Sequence, residues 1–264
     1  MSGARDRNVE AATESVAPYS GFAAIYDCVM AGVDYEAWAD YITKLIQHWG
    51  GNPRLLIDLA CGTGSSTLPF ARRGYAIEGM DLSEAMLRQA RIKAKQEALP
   101  VRFFQGDLRS FKTDKQYDLA LLFQDGLNYL LTESELAAAL KCIYRCLNPG
   151  GMFIFDLTRP SLRGGEAKGT VYWADDENLT LIWQSFYRPG EGIWEVTLTA
   201  FYREEGHQYY RKFQEKHCER DFEPGLVKRL LEAAGFAVKG CYATFSLEPS
   251  DGDRPKLTFV AEKK

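Results

Sequence analysis

An α/β fold is predicted, with a doubly wound, mostly parallel sheet of seven strands and a small antiparallel sheet inserted late in the chain. Three observations predict it. Short apolar runs alternate with segments of helical periodicity between residues 55 and 156. The first run passes into Asp58-Leu-Ala-Cys-Gly-Thr-Gly64, an acid and two glycines at a strand-to-helix turn. After Asp156 the rhythm becomes strictly alternating: positions 194, 196, 198, 200 and 202 are apolar while 195, 197 and 199 are polar.

Taken in order, a strand over 55–59 leads to a helix over 65–73, ended by Gly74. A strand over 76–80 precedes a helix that opens at Ser83 and runs to Glu97, stopped ahead of Pro100. Strands over 101–105 and 118–123 follow, separated by a loop. Thr132-Glu-Ser-Glu135 reads as a capping box that opens a helix over 133–146. Asn148-Pro-Gly-Gly151 turns into a strand over 152–156. In the inserted sheet, Tyr209, Arg211, Phe213, Glu215 and His217 share one strand face. A helix over 224–234 and strands over 237–244 and 256–262 complete the main sheet. Residues 1–17 read as a flexible tail and 18–50 as an N-terminal helical cover. The ligand-binding domain spans 51–160 and 221–264, with the inserted sheet, a substrate lobe, over 161–220.

Composition sets bounds. A chain of 264 residues with 46% hydrophobic content suits one large domain with an appended lobe. A net charge of −4 shows no electrostatic footprint for nucleic acid. The six cysteines form no Cys-x-x-Cys pair; Cys142 and Cys146 lie one helical turn apart without a second ligand pair, so no metal site is expected. No signal-type apolar run and no stretch of membrane-spanning length is present, and a reduced cytoplasm is the expected compartment.

The glycine turn carries the chemistry. Gly62 and Gly64 let backbone approach a ligand closely, the Asp58 carboxylate can meet a charged or hydroxylated group, and free N–H groups of the following helix point at whatever lies over the turn. A dinucleotide fingerprint requires a third glycine where this chain has Thr67, and no Gly-Lys-Ser/Thr follows for a phosphate loop. A nucleoside ligand without a pyrophosphate remains, a description that S-adenosyl-L-methionine (SAM) meets.

Asp58-Leu-Ala-Cys-Gly-Thr-Gly64 resembles motif I of class I SAM-dependent methyltransferases, whose Rossmann-like sheet has seven strands. Further segments follow in the family's order: Gly79-Met-Asp81-Leu-Ser-Glu-Ala-Met-Leu87, Gly106-Asp107-Leu108, Tyr117-Asp118-Leu-Ala-Leu-Leu-Phe123 and Leu147-Asn-Pro-Gly-Gly-Met-Phe-Ile-Phe155. The N-terminal Tyr19-Ser-Gly-Phe-Ala-Ala-Ile-Tyr-Asp27 and the inserted sheet are similar to those of small bacterial members, among them sugar-amine N-methyltransferases and, more distantly, glycine N-methyltransferase. His217-Cys-Glu-Arg220 resembles a segment that closes the inserted sheet in a branch of that group.

The resemblance implies a cofactor, SAM, with S-adenosyl-L-homocysteine (SAH) as product. It places the backbone of Ala60, Cys61, Gly62 and Gly64 near the methionine moiety, with Asp58 acting through the amino group or through loop order. Asp81 holds the ribose hydroxyls, beside Leu82 and Met86. Gly106, Asp107 and Leu108 flank the adenine, and Phe123 lies at the end of strand four. Gln124, Asp125 and Asn128 follow at the edge where substrates enter, although Asp125-Gly126 also suits a plain turn. Tyr19 and Tyr26 are cofactor contacts from the cover, or simple packing.

His217 is a candidate base because imidazole titrates near neutrality; the alternative is a hydrogen-bonded structural histidine joining the two sheets. His48 and His207 read as surface positions. Aromatics of the inserted sheet line a chamber, bury a face or form a subunit contact, so a homodimer is one expectation. The function expected is methyl transfer to nitrogen or oxygen of a small molecule. Methylation of RNA or protein, a non-catalytic SAM- or SAH-binding protein and, more distantly, a dehydrogenase are the alternatives.

Overall fold

A parallel sheet covered on both faces needs near-continuous apolar strands, and runs such as Leu-Leu-Ile at 55–57 and Leu-Ala-Leu-Leu at 119–122 supply them. The computed structural model describes residues 15–16, 18–162, 170–203, 206 and 208–264. The chain opens with β1 (Ser15–Val16), a 3-10 turn (Phe22–Ala24), α1 (Tyr26–Val29) and α2 (Tyr35–His48). Asp34 caps α2, its carboxylate accepting the Ala37 N–H at 2.9 Å. The strand–helix repeat follows as β2 (Leu55–Leu59), α3 (Leu68–Arg72), β3 (Ala76–Asp81), α4 (Glu84–Gln96), β4 (Arg102–Gln105) and β5 (Tyr117–Leu122). Next come α5 (Glu133–Cys146), opened by the expected capping box between Thr132 and Glu135, and β6 (Leu147–Thr158). The antiparallel β7 (Thr170–Asp175), β8 (Leu179–Arg188), β9 (Ile193–Tyr202) and β10 (Arg211–Arg220) precede α6 (Pro224–Ala234), β11 (Phe236–Ala243) and β12 (Lys256–Lys263).

The main sheet has the order β11-β12-β6-β5-β2-β3-β4. Its pairings from β6 through β4 are parallel, while β12 runs antiparallel to both β6 and β11. Alternation sends Leu56, Leu119, Leu121 and Ile154 to the face covered by α2. Ile57, Ala120, Leu122, Phe153 and Phe155 go to the face covered by α5 and α6. Each fully buried Leu, Ile or Phe among them contributes about 1.5–3 kcal/mol. Strand order reverses where β2 and β5 adjoin, and ligands of such sheets bind outside the carboxyl ends at that point.

The second sheet has the order β1-β10-β9-β8-β7. Its inner face places Leu181, Leu198, Ala200 and Phe213 against Phe22 and Ile25 of the N-terminal segment. That segment therefore lies between the sheet and the ligand end of the main domain.

Several expected boundaries move. The helix after the glycine turn begins at Leu68 rather than Ser65, because the Ser66 and Thr67 side chains are drawn to Asp58 and Pro69 sets the first turn. Tyr209 precedes β10 and is exposed, so it does not share the strand face with Phe213. Within the stretch read as a tail, Ser15 and Val16 pair in parallel with Gln214 and Glu215; positions 1–14 and 17, and His207, lie outside the described residues.

Candidate active site

A cavity of about 850 Å³ opens at the carboxyl ends of β2, β3 and β5. It falls within the range of roughly 300–1,000 Å³ typical of small-ligand sites. Ala60, Cys61 and Gly62 form its floor, and Asp81, Leu82 and Met86 follow from β3 and α4. Gly106, Asp107 and Leu108 lie at the end of β4, Phe123 and Gln124 at the end of β5, and Tyr19 and Tyr26 in the roof.

The turn after β2 needs left-handed backbone at Ala60 (φ 53°), Gly62 (φ 56°) and Gly64 (φ 77°). For alanine that conformation costs about 1–2 kcal/mol; the Cys61 N–H bond to the Met80 carbonyl, 2.9 Å, helps hold it. The two glycines do different things. A Cβ on Gly62 would meet only Met86 Cε, at 3.2 Å on the cavity side, whereas on Gly64 it would press into Ala90 and Phe103 at 3.1 Å. Gly64 is not part of the cavity wall; it lets α4 and β4 pack against the turn.

Asp81 reaches back to the same turn. One oxygen accepts the Gly62 N–H and the other the Ser83 N–H, both at 2.8 Å. Burial raises its pKa, against the lowering effect of those N–H groups. Asp58 is turned away from the cavity. Its Oδ2 accepts the hydroxyls of Thr67 (2.6 Å) and Ser66 (2.8 Å), and burial pushes its pKa up to about 6. Of its two expected uses, the structure places its side chain in loop order. Asp107 is engaged by Arg109 through Nε at 2.9 Å and Nη2 at 2.6 Å, and that guanidinium lowers its pKa.

Beyond β5, Gln124 (φ 57°) and Asp125 (φ 65°) take successive left-handed conformations. The buried Asp156 carboxylate accepts their N–H groups at 3.1 and 3.2 Å. Lys256 bridges Asp156 and Asp125, each at 2.9 Å; burial opposes its charge, but the two carboxylates raise its pKa. Gln124 lines the cavity and Asp125 does not: its carboxylate meets Lys256 and the Thr158 hydroxyl, which corrects its expected cofactor contact.

Asn128 is also corrected. It is fully buried, its Nδ2 donates to the Thr158 and Arg220 carbonyls at 2.9 and 2.8 Å, and its Oδ1 accepts the Thr158 N–H at 3.1 Å. With these groups occupied and no place on the cavity wall, it is a staple between β6, β10 and the turn. His217 does not reach the cavity as a direct base. It stands behind Tyr19, ring centroids 4.9 Å apart, with Nδ1 3.2 Å from the Tyr129 hydroxyl.

The sequence reading missed Tyr35, Tyr129, Lys216 and Cys218, all on the wall. Tyr129 had a signal, since it directly follows Asn128, already singled out with Gln124 and Asp125. Lys216 and Cys218 had none, because period-2 alternation does not say which face of β10 turns toward the other domain. The roof is pinned at three places. Ser83 Oγ donates to the Tyr19 carbonyl at 2.9 Å, and Asp27 accepts the Thr63 and Ser65 hydroxyls at 2.6 and 3.0 Å. Glu215 accepts the N–H groups of Gly21, Tyr19 and Phe22 at 2.6, 2.7 and 3.0 Å.

Comparison with known proteins places this geometry. Residues 56–151 match the family described as a methyltransferase domain. YqeM of Bacillus subtilis (strain 168), a protein named as a methyltransferase without an assigned acceptor, is 32% identical over 247 residues, 93% of this chain and 97% of the relative. A solved SAM-dependent methyltransferase from Clostridium acetobutylicum ATCC 824 superposes with a TM-score of 0.81 at 24% identity, covering 93% of this chain and 98% of that one. SAM-bound CalS10, an amino pentose methyltransferase from Micromonospora echinaspora, superposes at 0.71 with 22% identity, covering 91% and 97%. The chain belongs to the class I SAM-dependent methyltransferases, and SAM is its cofactor. The cavity fits that group: a glycine cradle a methyl would fill, a carboxylate on the wall, and apolar Leu82, Met86 and Leu108 about it. Among the described residues, no helix is long and apolar enough to cross a membrane.

Proposed function

We propose that this methyltransferase acts on a small molecule and that the acceptor atom is an amine nitrogen. The observation that carries the reading is the acceptor end of the cavity. Tyr19, Tyr26, Tyr35 and Tyr129 line it with Phe123, so four phenol hydroxyls and five aromatic rings surround this end. Aromatic faces attract ammonium ions by about 0.5–2 kcal/mol, and phenol oxygens accept their N–H bonds. The amino pentose activity in the name of CalS10 supports an amine but is that protein's own. The free cysteines fit a reduced cytoplasm.

When bound, SAM supplies a methyl group on a sulfonium, transferred as the acceptor lone pair forms the new bond and the carbon–sulfur electrons return to sulfur. The protein's work is holding and aligning. Asp81 would hold the ribose hydroxyls beside Leu82 and Met86, Asp107 and Leu108 would flank the adenine, and Ala60, Cys61 and Gly62 would offer backbone to the methionine moiety. The tyrosines orient the acceptor and exclude water. Positioning of this kind lowers barriers by about 7–11 kcal/mol in favourable cases.

The test is calorimetric titration with SAM, SAH and NADH, followed by SAH release with glycine, ethanolamine, glucosamine, a catechol and a carboxylic acid. SAH release with an amine alone supports the reading. Turnover of the catechol or acid alone moves the acceptor to oxygen, and NADH binding overturns the cofactor assignment.

A further inference from the structure

We propose that Tyr19, Tyr129 and His217 form a hydrogen-bonded line, ending beside the Glu215 carboxylate as the ion-pair partner of His217, that carries a proton from the amine acceptor at the cavity wall into the second sheet. This rests on the amine-methylating reading above. Tyr19 and Tyr129 both line the cavity, and their hydroxyls are 2.5 Å apart. Tyr129 Oη lies 3.2 Å from His217 Nδ1, and His217 Nε2 lies 3.3 Å from Glu215 Oε2. His217 is 4% exposed and Glu215 is fully buried, so the inner half of the line is shielded from bulk solvent.

The order of the groups sets the direction of transfer. Burial opposes the Glu215 charge, but His217 and the N–H groups of Phe22, Gly21 and Tyr19 bring its pKa below the ordinary value. An ionised carboxylate facing Nε2 keeps a proton on that nitrogen, which leaves Nδ1 bare to accept from Tyr129. Both phenols are pushed well up by burial and, further, by the Glu219 and Asp125 carboxylates, with Asp81 adding to Tyr19. Neither tyrosine is therefore a standing base. A neutral phenol passes a proton on only by giving up its own.

The backbone bears the same mark. Tyr19 is held at φ 61°, a conformation costly for a bulky residue, by its N–H bond to Glu215 and the Ser83 bond to its carbonyl. The carboxylate that faces His217 also fixes the outer phenol of the line.

The step balances. A protonated acceptor gives one N–H proton to Tyr19 Oη, the Tyr19 proton passes to Tyr129 Oη, and the Tyr129 proton passes to His217 Nδ1. The electrons of the broken N–H bond stay on nitrogen as the attacking lone pair, and His217 becomes an imidazolium beside Glu215. Tyr19 touches the acceptor; His217 and Glu215 are positioning residues that act through the phenols.

Only three histidines occur in the chain, so imidazole nitrogen NMR of the labelled full chain with SAH is readily assigned using His48→Gln and His207→Gln. The expected spectrum shows His217 as the Nε2–H tautomer with a hydrogen-bonded Nδ1, and Tyr129→Phe moves Nδ1 to an unbonded position. An Nδ1–H tautomer in SAH-bound protein, or an Nδ1 signal indifferent to Tyr129→Phe, overturns the line. With whichever of glycine, ethanolamine and glucosamine is turned over, Tyr129→Phe should lower kcat/KM at pH 7 by roughly 100-fold. The loss should disappear as pH passes the amine's own pKa; an equal loss at every pH overturns the proposal. SAH binding without turnover of any amine would sink the amine reading, and the NMR experiment then decides the line by itself.

Discussion

Thr67 donates its hydroxyl to Asp58 at 2.6 Å, across the glycine turn that floors the cavity. Ser66 adds a second bond to the same oxygen, while Asp58 Oδ1 is buried with no hydrogen-bond partner. The two hydroxyls lower the pKa, but burial outweighs them and raises it from 3.8 to about 6. In the folded state the carboxyl thus keeps its proton to higher pH than in the unfolded chain.

The pH consequence has a definite sign. Between roughly pH 4 and pH 6 the native state binds more protons at Asp58 than the unfolded chain, so stability falls as pH rises through that window. The full effect is on the order of 3 kcal/mol for about two pH units. Asp58→Asn should flatten this part of the stability curve in urea titrations at successive pH values. A variant that keeps the wild-type slope would show that another group carries it.

Asp81 presents its carboxylate to the cavity while holding the Gly62 and Ser83 N–H groups. Asp81→Asn should weaken SAM binding by about 1–3 kcal/mol through loss of charge-assisted hydrogen bonds. Calorimetry on the folded variant reads this directly, and unchanged affinity would remove the ribose assignment.

The two glycines of the turn should separate. Gly62→Ala strains left-handed backbone at φ 56°, at about 1–2 kcal/mol of stability, and in addition puts a methyl against Met86 of the cavity wall, so it should also weaken cofactor binding. Gly64→Ala presses on Ala90 and Phe103 at φ 77° and should cost about 1–3 kcal/mol of stability. Paired melting and SAM titration curves compare them; identical profiles would contradict the distinct placements.

Asn128→Ala removes both amide donors from the Thr158 and Arg220 carbonyls and leaves the Thr158 N–H without its acceptor. Leaving such buried groups unpaired costs about 1–3 kcal/mol each. Denaturation should show a large loss of stability, with methyl transfer per folded molecule retained. Selective loss of kcat in a fully stable variant would return Asn128 to a chemical role.

Local pattern determined much of this protein. The strand–helix repeat, the capping box at Thr132 and the helix over 224–234 were legible because hydrophobic period and cap chemistry act over a few residues. The glycine turn and the acid ending β3 were legible for the same reason, being short motifs with their own backbone demands. Where a side chain points once the two sheets meet was decided only in three dimensions. Asp125 and Asn128 sit beside Gln124 in sequence, yet Lys256, Thr158 and Arg220, distant along the chain, turn them from the cavity. His217 was visible as a titratable group, but its distance from the cavity depends on Tyr19 and Tyr129, brought from the N-terminal segment and the turn after β5. Long-range hydrogen bonds among buried groups made those choices, and no local propensity encodes them.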